Sequence, residues 1–342
     1  MRFIDEVAKE LSDLLNDWHS QPETWDDAID KQIHEWYSNV PKSFPKKPYF
    51  SPSSAGSDYR ELYFKGRGYK AEKSGQQPHQ KRWTSIGTAI GDIIQRDMLF
   101  IEKHGKKVLG AEPQFKFVRT AHGQPMFEDF AKKNHPVEHN GVKFHISGSP
   151  DGVMIYTDDE GNKLRVGLEI KSKQTTAAKT SLYSMQDPEP KHVEQCMAYA
   201  EMFDCHFYLI VYVNTSHKTW SMDPEEFAKS PDMRVFGVEC TQEKKDALLD
   251  KFAWLQDCIN RGLMPPTDIS KWTFNNFKTA TALSLSDAEM EALEKENERL
   301  KKSKAPAFIK ANHRNALEEI KHIRETCTDE ELRKKVESEK RL

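Results

Sequence analysis

Two short segments of this 342-residue chain decide its fold. They read Gly148-Ser149-Pro150-Asp151-Gly152 and Gly167-Leu168-Glu169-Ile170-Lys171-Ser172-Lys173. Residues 142–156 are rich in β-branched and aromatic side chains, which predicts one arm of a β-hairpin, and residues 163–171 resume this pattern. The run between them, Thr157-Asp158-Asp159-Glu160-Gly161-Asn162, is typical of a turn. The sequence therefore predicts a hairpin that carries two acids and a lysine.

The side chains of this hairpin predict a cation site. Successive side chains of a strand point to opposite faces, so Glu169 and Lys171 share a face and Ile170 points to the other. Asp151 can reach the same face from the first arm. Neighbouring carboxylates repel each other unless a cation lies between them. Oxygen ligands favour a hard divalent ion, so the pattern predicts Mg²⁺ or Mn²⁺.

The residue types also indicate a reaction. The carboxylates of Asp151 and Glu169 and the backbone carbonyl of Ile170 would hold the ion. Such an ion lowers the pKa of a water molecule and neutralises charge that develops on a phosphate. Lys171 would hold or deprotonate the attacking water, or would stabilise the pentacovalent phosphorus. The pattern thus predicts metal-assisted hydrolysis of a phosphodiester, and the alternative is an exposed hairpin with ordinary surface charges.

These residues resemble a known family. Pro150-Asp151 and Glu169-Ile170-Lys171 resemble the two halves of the motif of the PD-(D/E)XK nuclease superfamily. Gln195 and Tyr199, four residues apart and so on one helix face, resemble the Gln-x-x-x-Tyr motif of its RecB-like exonuclease branch, which includes stand-alone phage nucleases. The resemblance implies an α/β fold with a central mixed sheet flanked by helices. It also implies that Gln195 positions the lysine or the phosphate and that Tyr199 contacts DNA.

An upstream segment extends the resemblance. Residues 50–63 resemble the first motif of the family, in which Ser-Pro-Ser precedes a helix that carries Cys-Pro-Arg. Arg60 matches the arginine and would bind a phosphate or form a buried ion pair. Asp58 stands where many relatives have a cysteine that helps to hold a 4Fe–4S cluster, and no group of three cysteines follows near the C-terminus. We therefore predict that the protein has no iron–sulfur cluster.

Two further acids are candidate metal ligands. Residues 86–94 resemble the helix of the branch that carries Gly-x-x-x-His, and Gly91 stands at the position of the metal-binding histidine. Asp92 follows at once and is either a substitute ligand or a solvated acid, since one residue turns it by about 100° around the helix. Glu112 lies where relatives place a glutamate on the strand before the hairpin. It would bind metal directly, bind through water or pair with a lysine.

The net charge of −3 is not that of a general nucleic-acid binder. A DNA-binding protein with this balance must concentrate its positive charge locally. Aromatic residues lie among some of the basic residues, as base stacking requires. Besides Tyr199 and Arg60, the candidate DNA contacts are Arg67, Lys70, Arg82, Ser172 and Lys173. For any single basic patch, the alternative is a solvated loop.

The pattern of apolar residues divides the chain into three parts. We predict an N-terminal helical extension over residues 1–48, a nuclease core over 49–269 and a C-terminal helical appendage over 270–342. The appendage would pack on the core, form a homo-oligomer or recruit a replication or recombination partner. Five cysteines without a Cys-x-x-Cys pair, an acidic N-terminus and the lack of a long apolar run favour the cytoplasm of a bacterium or of a phage-infected host, without membrane contact.

Together, these features predict a Mg²⁺- or Mn²⁺-dependent DNA exonuclease in replication, recombination or end processing. A structure-specific or nicking endonuclease would use the same residues. A non-catalytic DNA-binding scaffold that retains the fold is the alternative from another class. The sequence has no phosphate-binding Gly-rich loop followed by Lys-Ser or Lys-Thr, so a fused motor ATPase is excluded.

Overall fold

The computed structural model describes residues 2–40, 44–46, 48–72, 77–216 and 219–340. Residues 1, 41–43 and 47 of the predicted N-terminal extension lie outside this description. The helices are α1 (Phe3–His19), α2 (Asp27–Ser38), α3 (Tyr59–Gly66), α4 (Pro78–Leu109), α5 (Pro190–Phe203), α6 (Pro224–Lys229), α7 (Gln242–Arg261), α8 (Lys278–Ser284), α9 (Asp287–Lys302), α10 (Ala307–Thr326) and α11 (Glu330–Lys340). The strands are β1 (Phe115–Phe117), β2 (Lys133–His139), β3 (Val142–Gly148), β4 (Gly152–Thr157), β5 (Lys163–Lys173), β6 (Phe207–Asn214) and β7 (Met233–Glu239).

A five-stranded mixed sheet forms the centre of the fold, in the order β1-β4-β5-β6-β7. Only β5 and β6 run parallel, and the other neighbours are antiparallel. Helices cover both faces, because Tyr208 and Ile210 of β6 belong to one buried cluster and Leu209 and Val211 belong to another. This explains the continuous apolar run of β6, which a strand covered on both faces requires. The predicted α/β class with a flanked mixed sheet and helical end regions is confirmed.

The predicted first arm of the hairpin, residues 142–156, is wrong as a single strand. It is divided into β3, which pairs with β2 in a separate two-stranded sheet, and β4, which pairs with β5. Pro150 lies in the break, where its lack of an N–H prevents a continuous ladder. Since the β4 ladder starts with Gly152 opposite Leu168, residues 169–173 of β5 extend beyond the end of β4.

The C-terminal helices pack on the core through α3. Arg60, which is only 3% exposed, donates to the Glu289 carboxylate of α9 at 2.5 Å and to the Pro265 carbonyl at 2.9 Å. The Tyr63 hydroxyl donates to Glu339 of α11 at 2.6 Å. Of the two roles that the sequence leaves open for Arg60, the buried ion pair is the observed one, because a helix that the motif does not include covers this side chain.

None of the helices in the described part of the chain combines the length and the apolar run that are needed to cross a membrane.

Candidate active site

Asp151 directly precedes β4 and contacts β5, the strand that carries Glu169 and Lys171. Its carboxylate Oδ2 accepts a hydrogen bond from the Ile170 N–H at 2.7 Å. The Asp151 carbonyl accepts another from Nε2 of Gln95, on α4, at 2.8 Å. A third contact comes from Tyr199, whose hydroxyl donates to the Ser149 carbonyl at 2.5 Å. Two helices and β5 thus hold the loop in which Asp151 lies.

Glu169, Lys171 and Gln195 form a closed triangle of polar contacts. The Lys171 ammonium lies 2.5 Å from Glu169 Oε1 and 3.2 Å from Gln195 Oε1. The Gln195 amide donates to Glu169 Oε1 at 2.9 Å. Alternation along β5 directs Glu169 and Lys171 to the face that α5 covers, while Ile170 joins the cluster on the opposite face. The structure therefore brings Asp151, Glu169, Lys171 and Gln195 together, as the sequence predicts.

Burial makes ionisation of the two acids of this site unfavourable. Glu169 is 1% exposed, and burial together with the nearby Asp151 carboxylate raises its pKa to about 8. Burial also raises the pKa of Asp151. Burial opposes the charge of Lys171, but the two carboxylates outweigh it and raise the pKa of this ammonium. At neutral pH Lys171 is therefore an ammonium, whereas Glu169 is largely protonated unless a cation binds it.

The donor set fits a hard divalent cation. Within the described residues, no three His, Cys, Asp or Glu side chains form a ready metal cluster. The Oε2 atom of Glu169, however, is buried and has no hydrogen-bond partner. A buried carboxylate oxygen without a partner is costly unless a proton or a cation satisfies it. The nearby Asp151 raises this cost, and both side chains offer the oxygen ligands that Mg²⁺ and Mn²⁺ bind.

Glu128 is a further acid of this site, and no motif in the sequence marks it. It begins a short 3-10 turn with a left-handed φ of 44°, and its N–H donates to the Pro150 carbonyl at 2.7 Å. Its carboxylate accepts from the Tyr37 hydroxyl of α2 at 2.8 Å. Burial raises the pKa of Glu128, and the charges of Asp92 and Asp151 raise it further. Asp92 thus lies in the same electrostatic field, although its side chain is exposed.

The prediction of Glu112 as a metal ligand is wrong. Its carboxylate is exposed and forms an ion pair with Lys106 at 2.8 Å. Glu112 precedes β1, and β1 begins opposite Tyr156, near the end of β4 that lies away from Asp151. The lysine pair, one of the three predicted roles, is the observed one.

Three candidate DNA contacts are engaged inside the protein. The Arg67 guanidinium pairs with Glu339 at 2.9 Å. Lys173 pairs with Glu189. Tyr199 is 5% exposed and uses its hydroxyl for the loop that carries Asp151. These polar groups thus have tertiary partners that the sequence does not show, and their contacts with DNA stay predictions.

The other candidate DNA contacts stay predictions. Ser172 is half-buried, and its hydroxyl accepts from the Gln174 side chain at 3.0 Å. Lys70 and Arg82 are exposed. Lys70 lies on a cleft of about 950 Å³ beside α3, and Arg82 lies on the first turns of α4.

Comparisons with known proteins find similar solved structures but no related sequence. No family model and no curated protein matches the chain. Among solved structures, that of SSO0001 is 13% identical, covers 73% of this chain and 91% of its own, and has a TM-score of 0.36. An alkaline exonuclease, LHK-Exo from Laribacter hongkongensis, is 12% identical with coverage of 67% and 96% and a TM-score of 0.34. The same exonuclease in complex with dAMP is 12% identical with coverage of 62% and 92% and a TM-score of 0.32. At such low scores the similarity carries no functional conclusion.

Proposed function

We propose that the protein is a metal-dependent nuclease that hydrolyses phosphodiester bonds. The observation that carries this proposal is the buried Glu169 carboxylate. One of its oxygens is shared by Lys171 and Gln195, and the other lacks a partner beside Asp151. A buried acid pair with an adjacent ammonium suits charge stabilisation at a phosphate better than it suits a structural role, because it destabilises the fold.

Asp151 and Glu169, with the Ile170 carbonyl, are the residues that would hold Mg²⁺ or Mn²⁺. When bound, such a cation supplies Lewis-acid polarisation of the phosphodiester and neutralises its developing charge. Asp92 and Glu128 add negative charge next to Asp151 and are further candidate ligands. Asp92 lies on α4, and Glu128 lies on the 3-10 turn before β2.

The protonation state of Lys171 selects among its predicted roles. Because the neighbouring carboxylates raise its pKa, the side chain is an ammonium at neutral pH and cannot accept a proton. It can donate hydrogen bonds to the attacking water or to the phosphate oxygens of the transition state. Gln195 bridges Lys171 and Glu169 and is a positioning residue. In-line attack by water would thus be guided by residues of β5 and α5.

We further propose that the substrate is DNA and that cleavage starts from an end, as expected of a RecB-like, phage-type exonuclease in replication, recombination or end processing. The support is the match of Pro150-Asp151, Glu169-Ile170-Lys171 and the Gln195/Tyr199 pair to the family motifs. An endonuclease would use the same residues. Arg60 and Tyr199 have partners inside the protein, so the proposal does not rest on them as DNA contacts.

The test is an assay of metal-dependent cleavage. The purified protein is stripped with EDTA, supplied with Mg²⁺ or Mn²⁺, and given end-labelled linear single-stranded DNA, linear double-stranded DNA or closed circular DNA. We expect cleavage of linear DNA only with a cation. Asp151→Asn should abolish it, and Asp159→Asn, at the exposed turn beyond the other end of β4, should not.

Each alternative predicts another result in the same assay. Cleavage of circular DNA would favour the endonuclease. DNA binding without cleavage of any substrate in either cation would favour the scaffold. Full activity in EDTA would contradict the proposed chemistry.

A further inference from the structure

The first half of α4 is a helix that the rest of the protein leaves largely uncovered. Its side chains are mostly exposed from Pro78 to Ile93, and continuous burial begins only at Ile94. Trp83 is 48% exposed. Helices whose exposed part carries large apolar side chains indicate a surface that contacts another molecule.

Two glycines interrupt this half of α4 on one face. Gly87 and Gly91 lie four and eight residues after Trp83, and Gln95 continues the series, so that all four share a helix face. A Cβ atom at Gly87 would lie 3.2 Å from Ser172 Oγ, whereas one at Gly91 would meet no atom of the described part of the chain within 4 Å. Glycine inside a helix is destabilising relative to alanine. Packing among the described residues therefore gives no reason for the missing side chain at Gly91.

This face runs toward the candidate active site. Gln95 holds the Asp151 carbonyl, and the Trp83 carbonyl accepts from Gln174, just beyond the end of β5. Gln95 is only 2% exposed, and its Oε1 atom has no hydrogen-bond partner. The Gln95 side chain is directed to the loop that carries Asp151. The helix face of Trp83, Gly87 and Gly91 therefore ends beside the loop that carries Asp151.

The outer end of the face has the composition of a base-stacking surface. The exposed Trp83 ring has an edge contact with the His79 ring, with centroids 6.0 Å apart. Lys81 and Arg82 precede it and are exposed. Proteins that bind single strands combine aromatic side chains, on which bases stack, with basic residues along the backbone.

We propose that Trp83, Gly87 and Gly91 form a track for a single-stranded stretch of the nucleic-acid substrate. The sugar–phosphate backbone passes close to the helix at the two glycines, and an unpaired base stacks on Trp83. This inference rests on the proposed nuclease function and specifies its substrate as a strand whose bases are unpaired next to the scissile linkage.

A first experiment measures binding of a fluorescein-labelled oligothymidylate of about twelve nucleotides, by anisotropy in EDTA so that cleavage plays no part. Trp83→Ala should weaken binding by about 5- to 150-fold, the range for the loss of one stacked base. Trp254→Ala is the matched control, because Trp254 on α7 is 44% exposed and lies outside the track. Equal affinities of Trp83→Ala and the wild type would overturn the track.

A second experiment fills the open space on the helix. Gly91→Leu adds a side chain that meets no protein atom at its Cβ, and Gly91→Ala should raise the unfolding temperature because alanine favours the helix. Both should weaken oligothymidylate binding, with the larger loss for leucine. Gly105→Ala, on the other half of α4 and in ordinary contact with Ile101, is the control that should leave binding unchanged.

The two proposals fail in different ways. If wild-type protein cleaves DNA but the Trp83 and Gly91 variants bind oligothymidylate normally, the track is wrong and the nuclease function stands. If the wild type cleaves nothing with either cation but these variants lose binding, the track stands and the hydrolysis is wrong. The affinities for double-stranded and for single-stranded DNA can also be compared in the wild type and in Trp83→Ala. If their ratio is the same in both proteins, Trp83 does not contact unpaired bases.

Discussion

The Asp151 carboxylate is bound to the backbone N–H of Ile170 at 2.7 Å, which ties the loop before β4 to the residue between Glu169 and Lys171. This bond fixes the first acid against the strand of the second without the use of any further side chain. It depends on β5 extending beyond β4, because a paired strand would already have used that N–H.

Loss of the Lys171 ammonium should slow cleavage without unfolding the protein. We expect Lys171→Ala to lower the single-turnover rate constant for cleavage by about a hundred- to a thousand-fold, as for other donors that stabilise transition-state charge. The measurement is single-turnover cleavage of linear DNA in Mg²⁺, with circular dichroism as the check of folding. Lys163→Ala, at the exposed far end of the same strand, is the control. A Lys171→Ala rate equal to that of the control would refute the assigned role.

When no divalent cation is present, the free energy of unfolding should decrease as the pH rises. The folded-state pKa of Glu169, about 8, lies above its ordinary value of 4.5. Its contribution to stability is therefore complete below about pH 4.5 and is lost as the pH rises through about 8. A cation binds the ionised carboxylate, so Mg²⁺ should raise the unfolding temperature more at pH 8 than at pH 6.

Thermal unfolding across this pH range, in EDTA and in Mg²⁺, measures both effects. Glu169→Gln should remove most of the decline and most of the response to Mg²⁺. An unfolding temperature that is independent of both pH and Mg²⁺ in the wild type would contradict the cation site.

The hydroxyl of Tyr37 should tune Glu128. Its hydrogen bond favours the ionised carboxylate and so lowers the pKa of Glu128, against the effects of burial and of neighbouring acids. In Tyr37→Phe this pKa should rise, and the acidic limb of the pH–activity profile should move to higher pH. Tyr183→Phe, at an 89% exposed site, is the control. Identical profiles for all three proteins would show that Glu128 does not titrate with activity.

Tyr199 should act through the Asp151 loop. Tyr199→Phe removes the bond to the Ser149 carbonyl and should lower the free energy of unfolding by about 0.5–1.5 kcal/mol. We expect kcat to fall while KM for DNA stays near that of the wild type. A rise in KM without a change in kcat would instead support the direct DNA contact that the family motif implies.

Local patterns predict the centre of the site well. Asp151, Glu169 and Lys171 lie on adjoining arms of a hairpin, so that strand alternation and a short motif suffice to bring them together. Gln195 follows from helical spacing on the next helix. Composition does not predict the break between β3 and β4, because residues 142–156 are continuously strand-like and a single proline does not show that the chain changes sheets there.

The rest of the site depends on contacts between distant parts of the chain. Glu128 and Tyr37 meet 91 residues apart, and neither belongs to a motif. Arg67 lies in a basic segment that predicts a DNA contact, but in the structure it forms an ion pair with Glu339 of α11. Glu112 precedes the hairpin in the sequence, and this order alone predicts its role at the site. The order does not show that β1 begins at the end of β4 that lies away from Asp151.

The bond between Tyr63 and Glu339 joins residues 276 positions apart. Because a core tyrosine and the last helix hold each other, we expect calorimetry to record one cooperative melting transition for the nuclease core and the C-terminal helices. The boundary near residue 270 would then mark a change in composition rather than a seam along which the molecule can come apart.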